Sequence, residues 1–188
     1  EILETDSLID GVYNALGVHI YDEDESERIN FKLTTVTYPI PPDKLFEEIS
    51  PIGASGYFHG DTLTVRRAVF DSVGLFDETL ELTQDTHMWI KMAAKVSLVA
   101  GIIDSPVAIR GVHSGNRIKN IAKFNYYFPL LFLSLVNWAT KENISVYRKR
   151  LLWDCLYRKN YNLVHSQKSN KFIKRIKIFS FLILHGVN

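Results

Sequence analysis

Residues 56–90 constrain this chain more than any other part of it. Residues 57–65 are rich in β-branched and aromatic side chains and predict a strand. Residues 66–73 then predict a short helix, with Gly74 placed to supply a left-handed stop. A turn follows through Leu75-Phe76-Asp77-Glu78, and Thr83 is placed as the N-cap of a new helix over residues 84–95. In that helix Met88, Trp89, Met92, Ala93 and Val96 recur at helical spacing. Asp85 falls in its first turn, where free N–H groups and the helix dipole favour a rigid, ionised carboxylate. Such a group suits a general base, and it equally suits a plain helix-capping aspartate.

The chain's 188 residues bound it to one domain with a helical appendage. Net charge is +1, but its distribution is uneven. Residues 1–50 hold 12 Asp and Glu against 3 Lys and Arg, whereas residues 139–188 hold 2 against 11. An acidic body and a basic tail imply a polyanionic surface as partner for the tail, a membrane or a nucleic acid. The single cysteine, Cys155, excludes an internal disulfide and fits a reducing compartment. The first residues are acidic and do not read as a signal peptide. The most apolar stretch, residues 124–139, is interrupted by Asn125, Pro129 and Asn137 and is too short to span a bilayer.

Elsewhere the pattern predicts the end of a helix over residues 1–9, a strand over 12–21 and an acidic turn from Asp22 to Glu27. It predicts a second extended segment over 31–38 and a helix over 43–49, capped by Asp43 and facing inward with Leu45 and Phe46. Strands are expected over 97–103 and 107–112 around Pro106. From Asn120 onward the chain reads as helical. One stripe joins Phe128, Leu131, Phe132 and Leu135. Another joins Tyr147, Leu151, Leu152, Cys155 and Leu156, with Arg148, Lys149, Arg150, Arg158 and Lys159 opposite. A basic amphipathic tail spans residues 171–184, fit either to lie on an anionic membrane or to pack on the body. These elements give an α/β or α+β body over residues 1–118 and a helical part over 119–188.

Three motifs come in a fixed order: Phe58-His59-Gly60-Asp61 before Arg66-Arg67, then Val73-Gly74-Leu75-Phe76-Asp77-Glu78 with Gln84-Asp85, then Arg110-Gly111-Val112-His113-Ser114-Gly115-Asn116. Together this order resembles the acceptor-side half of family 2 glycosyltransferases of the GT-A fold. The resemblance covers residues 50–118 well and the flanks loosely. It implies a partial GT-A-like mixed sheet with flanking helices. It also implies an inverting transfer from a nucleotide-sugar donor to a glycan or lipid-linked acceptor, with Asp85 as catalytic base. The residue before the base is often Glu in that family, and here it is Gln84. His59, Gly60, Asp61, Gln84, Trp89 and Arg110 are implied as substrate-binding, Arg110 beside the leaving diphosphate. His113 is implied as a metal or phosphate ligand. Tyr57, Phe58 and Trp89 serve either as a sugar platform or as plain core.

The resemblance further implies Mn2+ or Mg2+, held by a D-x-D motif. Asp22-Glu23-Asp24 matches those letters, but only 21 residues precede it, too few for a nucleotide-binding half. A solvated hairpin turn is the expected reading of that run. The chain is thus expected to be the C-terminal portion of a longer enzyme, inactive alone, on the cytoplasmic side and peripheral to a membrane, with no nucleic-acid partner. Two other readings stay open. One is a metal-dependent hydrolase using His59, Asp61, Asp85, His87 and His113; the other is a non-enzymatic module whose basic helices bind membrane or another polyanion.

Overall fold

A computed structural model describes residues 1–22, 27–112 and 121–164, with the side chains of the last helix described as far as Tyr157. The elements in order are α1 (Ile2–Thr5), β1 (Gly11–Tyr13), β2 (Ala15–Tyr21), β3 (Arg28–Thr34), α2 (Pro42–Glu48), a 3-10 turn (Gly60–Thr62), β4 (Leu63–Val65), α3 (Val69–Val73), α4 (Gln84–Lys95), β5 (Leu98–Ala100), β6 (Pro106–Val112), α5 (Ile121–Lys141) and α6 (Val146–Val164). The class is α/β with flanking helices, as the pattern predicts.

Two small mixed sheets share one bent strand. β1 lies between antiparallel β4 and parallel β5, and β2 lies between antiparallel β3 and parallel β6. Asn14 sits at the bend between β1 and β2 and staples both neighbours. Its Nδ2 donates to the Thr62 carbonyl (3.2 Å), and its Oδ1 accepts from the Ile102 N–H (2.8 Å). Gly101 is required here, because a Cβ at that position would stand 2.3 Å from Asn14 Oδ1. The Thr62 hydroxyl donates to the Asn14 carbonyl at 2.8 Å and lies 3.1 Å from the carbonyl of His59. This staple fixes the loop that carries His59 against the sheet that carries Arg110.

Several local expectations are corrected. The strand expected over residues 57–65 is confined to Leu63–Val65, because the 3-10 turn at Gly60–Thr62 breaks it. The helix expected over 66–73 begins only at Val69, and Gly74 ends it at φ +77°, ψ −179°, a glycine-favoured conformation outside the left-handed helical well. Pro42, not Asp43, opens α2; Pro41 is the N-cap, and no side chain caps it. The helix expected through residue 9 spans only Ile2–Thr5. The strand expected from Phe31 starts at Arg28, antiparallel to β2, with the Asp22 N–H donating to the Glu27 carbonyl at 3.1 Å. That places Asp22 at the head of a hairpin; Glu23 and Asp24 lie outside the described residues.

One core runs beneath α2, α4, α5 and α6. Tyr13, Phe46, Phe58, Ile90, Phe132, Leu135, Leu152 and Leu156 are fully buried in it. The stripes on α5 and α6 supply its helical side, except that Tyr147 is exposed. Arg148 also departs from expectation, facing inward rather than joining a solvated basic face. Its guanidinium donates to Glu47 Oε1 (2.8 Å), the Ala94 carbonyl (2.8 Å) and the Asp43 carbonyl (3.0 Å), and it stacks 5.2 Å from the centre of the Phe46 ring. A planar fork with five donors joins three helices in a way that a point-charge ammonium cannot. Arg148→Ala is expected to cost about 2–3 kcal/mol, with Arg148→Lys recovering little of it. Urea unfolding checks this, and a loss below about 0.5 kcal/mol, the scale of an ordinary surface change, would contradict it.

Candidate active site

The predicted residues converge on a cleft of about 580 Å³ at the head of α4. Thr83 precedes the helix in the left-handed conformation (φ 75°, ψ 8°). Its hydroxyl donates to the Leu82 carbonyl and does not cap α4, contrary to the expectation of an N-cap hydrogen bond. Asp85, in the first turn, accepts from the Thr86 N–H through Oδ1 at 2.8 Å. Its other oxygen, Oδ2, faces His59 Nε2 at 3.9 Å, and the side chain is half exposed. The base candidate is thus anchored through one oxygen and open to the cleft through the other.

His59 links Asp85 to the sheet. Arg110 Nη1, from β6, stands 3.0 Å from His59 Nε2. His59 Nδ1 accepts from the Asp61 N–H at 3.2 Å and lies 3.2 Å from Asp61 Oδ2. The result is a line from Asp61 through His59 to Arg110, with Asp85 beside it.

Aromatic side chains form the floor and walls. Trp89, 4% exposed, lies 6.5 Å from the Tyr57 ring at an interplanar angle of 24°, and packs on Phe58 and His59. Tyr57 is 43% exposed and is the most accessible ring of this group. The Trp89 indole N–H is buried and has no partner among the described residues. A buried donor left unpaired is costly to the fold. Phe124 and Phe128 of α5 line the same cleft, as do Ser50 and Pro51. On its rim Glu81 accepts from Lys123 Nζ at 2.8 Å, and this bond holds the Glu81 carboxyl below its usual range.

Asp85, Gln84, Trp89, Arg110 and His59, which the resemblance implies as catalytic or substrate-binding, all line this cleft. Gly60 and Asp61 flank it, Asp61 through His59. His113 lies outside the described residues. The α5 contributions, Phe124 and Phe128, were read only as a core stripe; nothing in their spacing says that the stripe ends in a wall. Of the hydrolase grouping, His59, Asp61 and Asp85 are neighbours, and His113 lies outside the described residues. His87 points away, into a different cavity, and no group of three or more His, Cys, Asp or Glu side chains is poised for a metal ion among the described residues.

That other cavity, of about 660 Å³, lies between α4 and α5. Asp77 accepts from the Ser134 hydroxyl (2.6 Å), the Thr79 hydroxyl (2.6 Å) and the Thr79 N–H (3.1 Å). Burial alone would raise its pKa, but these bonds and nearby His87 hold it below the usual value. The Ser134 proton is therefore committed to Asp77, and Ser134 Oγ accepts from His87 Nε2 at 3.2 Å. His87 Nδ1 is then a bare lone pair, buried and unpartnered among the described residues.

Burial, helped by Lys91, pushes the His87 pKa down to about 4, with Asp77 opposing. An unfolded imidazole takes up its proton near 6.5. Between these values the unfolded chain binds more protons than the folded one, so stability rises with pH across that window. A loss of about 3 kcal/mol is expected as pH falls from 6.5 to about 4. Urea unfolding at several pH values measures it, and His87→Leu should flatten the profile. An equal slope in the variant would contradict the assignment.

Comparisons with known proteins complete the description. No family model matches the chain, and no solved structure matches it. It is similar to a protein of Rickettsia felis named an uncharacterized glycosyltransferase, 29% identical over 130 residues, which are 68% of this chain and 20% of that protein. A Rickettsia conorii protein of the same description is 31% identical over 107 residues, 56% of this chain and 17% of its own. One from Rickettsia bellii is 31% identical over 103 residues, 54% and 14% respectively. The chain spans a fifth or less of the length of these relatives. No helix among the described residues is long and apolar enough to cross a membrane.

Proposed function

We propose that this chain carries the acceptor-side part of a glycosyltransferase, a nucleotide-sugar-dependent enzyme of inverting type with Asp85 as general base. The observation that carries the reading is Asp85 Oδ2, open to a cleft that pairs an aromatic platform with a cationic side chain. The similarity to proteins named as glycosyltransferases supports it.

In this reading an acceptor sugar packs on the exposed part of the Tyr57 ring, which Trp89 backs from within the core. Asp85 Oδ2 takes the proton from the attacking acceptor hydroxyl. That oxygen forms the bond to C1 of the donor sugar as the bond from C1 to the diphosphate breaks. Arg110, beside His59, is assigned the positive charge that offsets charge developing on the departing diphosphate. The described residues gather no ligand set for Mn2+ or Mg2+. Dependence on Mn2+ or Mg2+ is part of the proposal only, and no step here runs through the metal. The basic tail of residues 171–184, proposed to face an anionic membrane beside a lipid-linked acceptor, lies outside the described residues.

The test is release of nucleoside diphosphate from nucleotide sugars by the full-length polypeptide, with and without glycan acceptors. Release that depends on an acceptor, with a glycosylated product, is expected. Acceptor-independent hydrolysis alone would contradict the reading.

A further inference from the structure

The β3–β2–β6 sheet turns its two faces to different surroundings. Arg110 of β6 carries one face to the cleft through His59. Ile109, its neighbour in the strand, points to the other face. There Phe31 of β3 and Ile109 close over Gly17 of β2. A Cβ on Gly17 would stand 3.0 Å from the Phe31 ring and 3.4 Å from Ile109 Cγ1. His19 packs edge-on against Phe31 at 5.6 Å and continues the strip to Tyr21. Phe31 is 44% exposed and Ile109 60%, and no helix among the described residues packs across them. A solvated sheet face is ordinarily polar, so a contiguous apolar strip marks a contact surface.

Charge, position and sequence pattern together identify what covers it. The strip ends at Tyr21 and Arg28, and the connection between them, residues 22–27, holds five carboxylates. α6 is tied to α2 at Arg148 and passes Pro51 at Cys155, whose Sγ lies 3.7 Å from the Pro51 carbonyl. Beside Pro51, the Ser50 N–H donates to the Gly56 carbonyl at 2.8 Å, and Gly56 bridges Val36, just past the end of β3. α6 thus heads for the β3 side of the fold, and its remainder, from Cys155 to Val164, extends it by about 13 Å. Residues 165–188 follow, outside the described residues. Their sequence sets Phe172, Ile173, Ile176, Phe179 and Ile183 at helical spacing and gathers five cations from Lys168 to Lys177. We propose that the tail, residues 171–184, covers the outer face of the β3–β2–β6 sheet, its apolar stripe on Phe31 and Ile109 and its cations toward the acidic connection. With its apolar side held there, the tail meets an anionic membrane through its charges alone.

The test is limited trypsin digestion of the full chain. Each cation of the tail is a cleavage site that docking shields, and cleavage follows the population of the open form. Ile109→Glu on the sheet and Ile176→Glu in the tail are each expected to speed cleavage within residues 168–177 at least about tenfold, the scale of taking one isoleucine out of an apolar contact. Ile109 is exposed and Ile176 belongs to the tail, so neither substitution threatens the core. Asn30→Glu, on the opposite face of β3, is expected to leave the rate unchanged. Equal rates in the parent and both isoleucine variants overturn the proposal, as does acceleration by only one of the two. So do acceleration by Asn30→Glu to the same degree, protection that grows with protein concentration, as a second copy on this face would give, and protection that requires phosphatidylglycerol vesicles.

Discussion

Trp89→Ala is expected to destabilise the fold by about 3–5 kcal/mol, the range for removing a large buried aromatic. The ring is buried between Tyr57, Phe58 and His59, and Phe58 in turn stacks on Tyr13 at 4.7 Å. Its removal opens a void between the cleft and the core, and closely packed neighbours collapse into such a void only in part. Trp89→Phe separates packing from polarity. It keeps most of the apolar contact and deletes an N–H that has no partner among the described residues. Its stability cost is expected below about 1.5 kcal/mol. Urea unfolding of both variants decides the matter. A cost under about 1 kcal/mol for the alanine variant, the size of an average substitution, would show that Trp89 is no part of the core.

Much of this was legible in the sequence, for identifiable reasons. α4 is strongly periodic and its bounds, Gln84–Lys95, match the expectation residue for residue. The strand–helix–turn order ahead of it also emerges, because Gly74 punctuates it. Two kinds of feature were hidden. Backbone interruptions such as the 3-10 turn at Gly60–Thr62 depend on contacts far along the chain, here Thr62 with Asn14. Inward-facing charges were also hidden: Arg148 reads as one of a basic cluster, and only packing against Glu47, Ala94 and Phe46 shows otherwise. His87 and Lys91 share that fate. Their spacing puts them on one face of α4, but their burial comes from α5, whose approach no local pattern encodes. The cleft itself was partly legible. Asp85, His59 and Arg110 were each named, yet the contact joining Arg110 to His59 spans 51 positions and is a property of the sheet.

The most direct measurement is the rate of sugar transfer by Asp85→Asn in the full-length polypeptide, alongside its affinity for the nucleotide-sugar donor. The side chain is nearly isosteric, and the Thr86 N–H still finds an oxygen to donate to. Loss of general-base catalysis is expected to lower turnover by about 10²–10⁴-fold while donor affinity holds. Turnover within a few-fold of the parent would contradict the account, because the carboxylate at the head of α4 would then have no part in the chemistry.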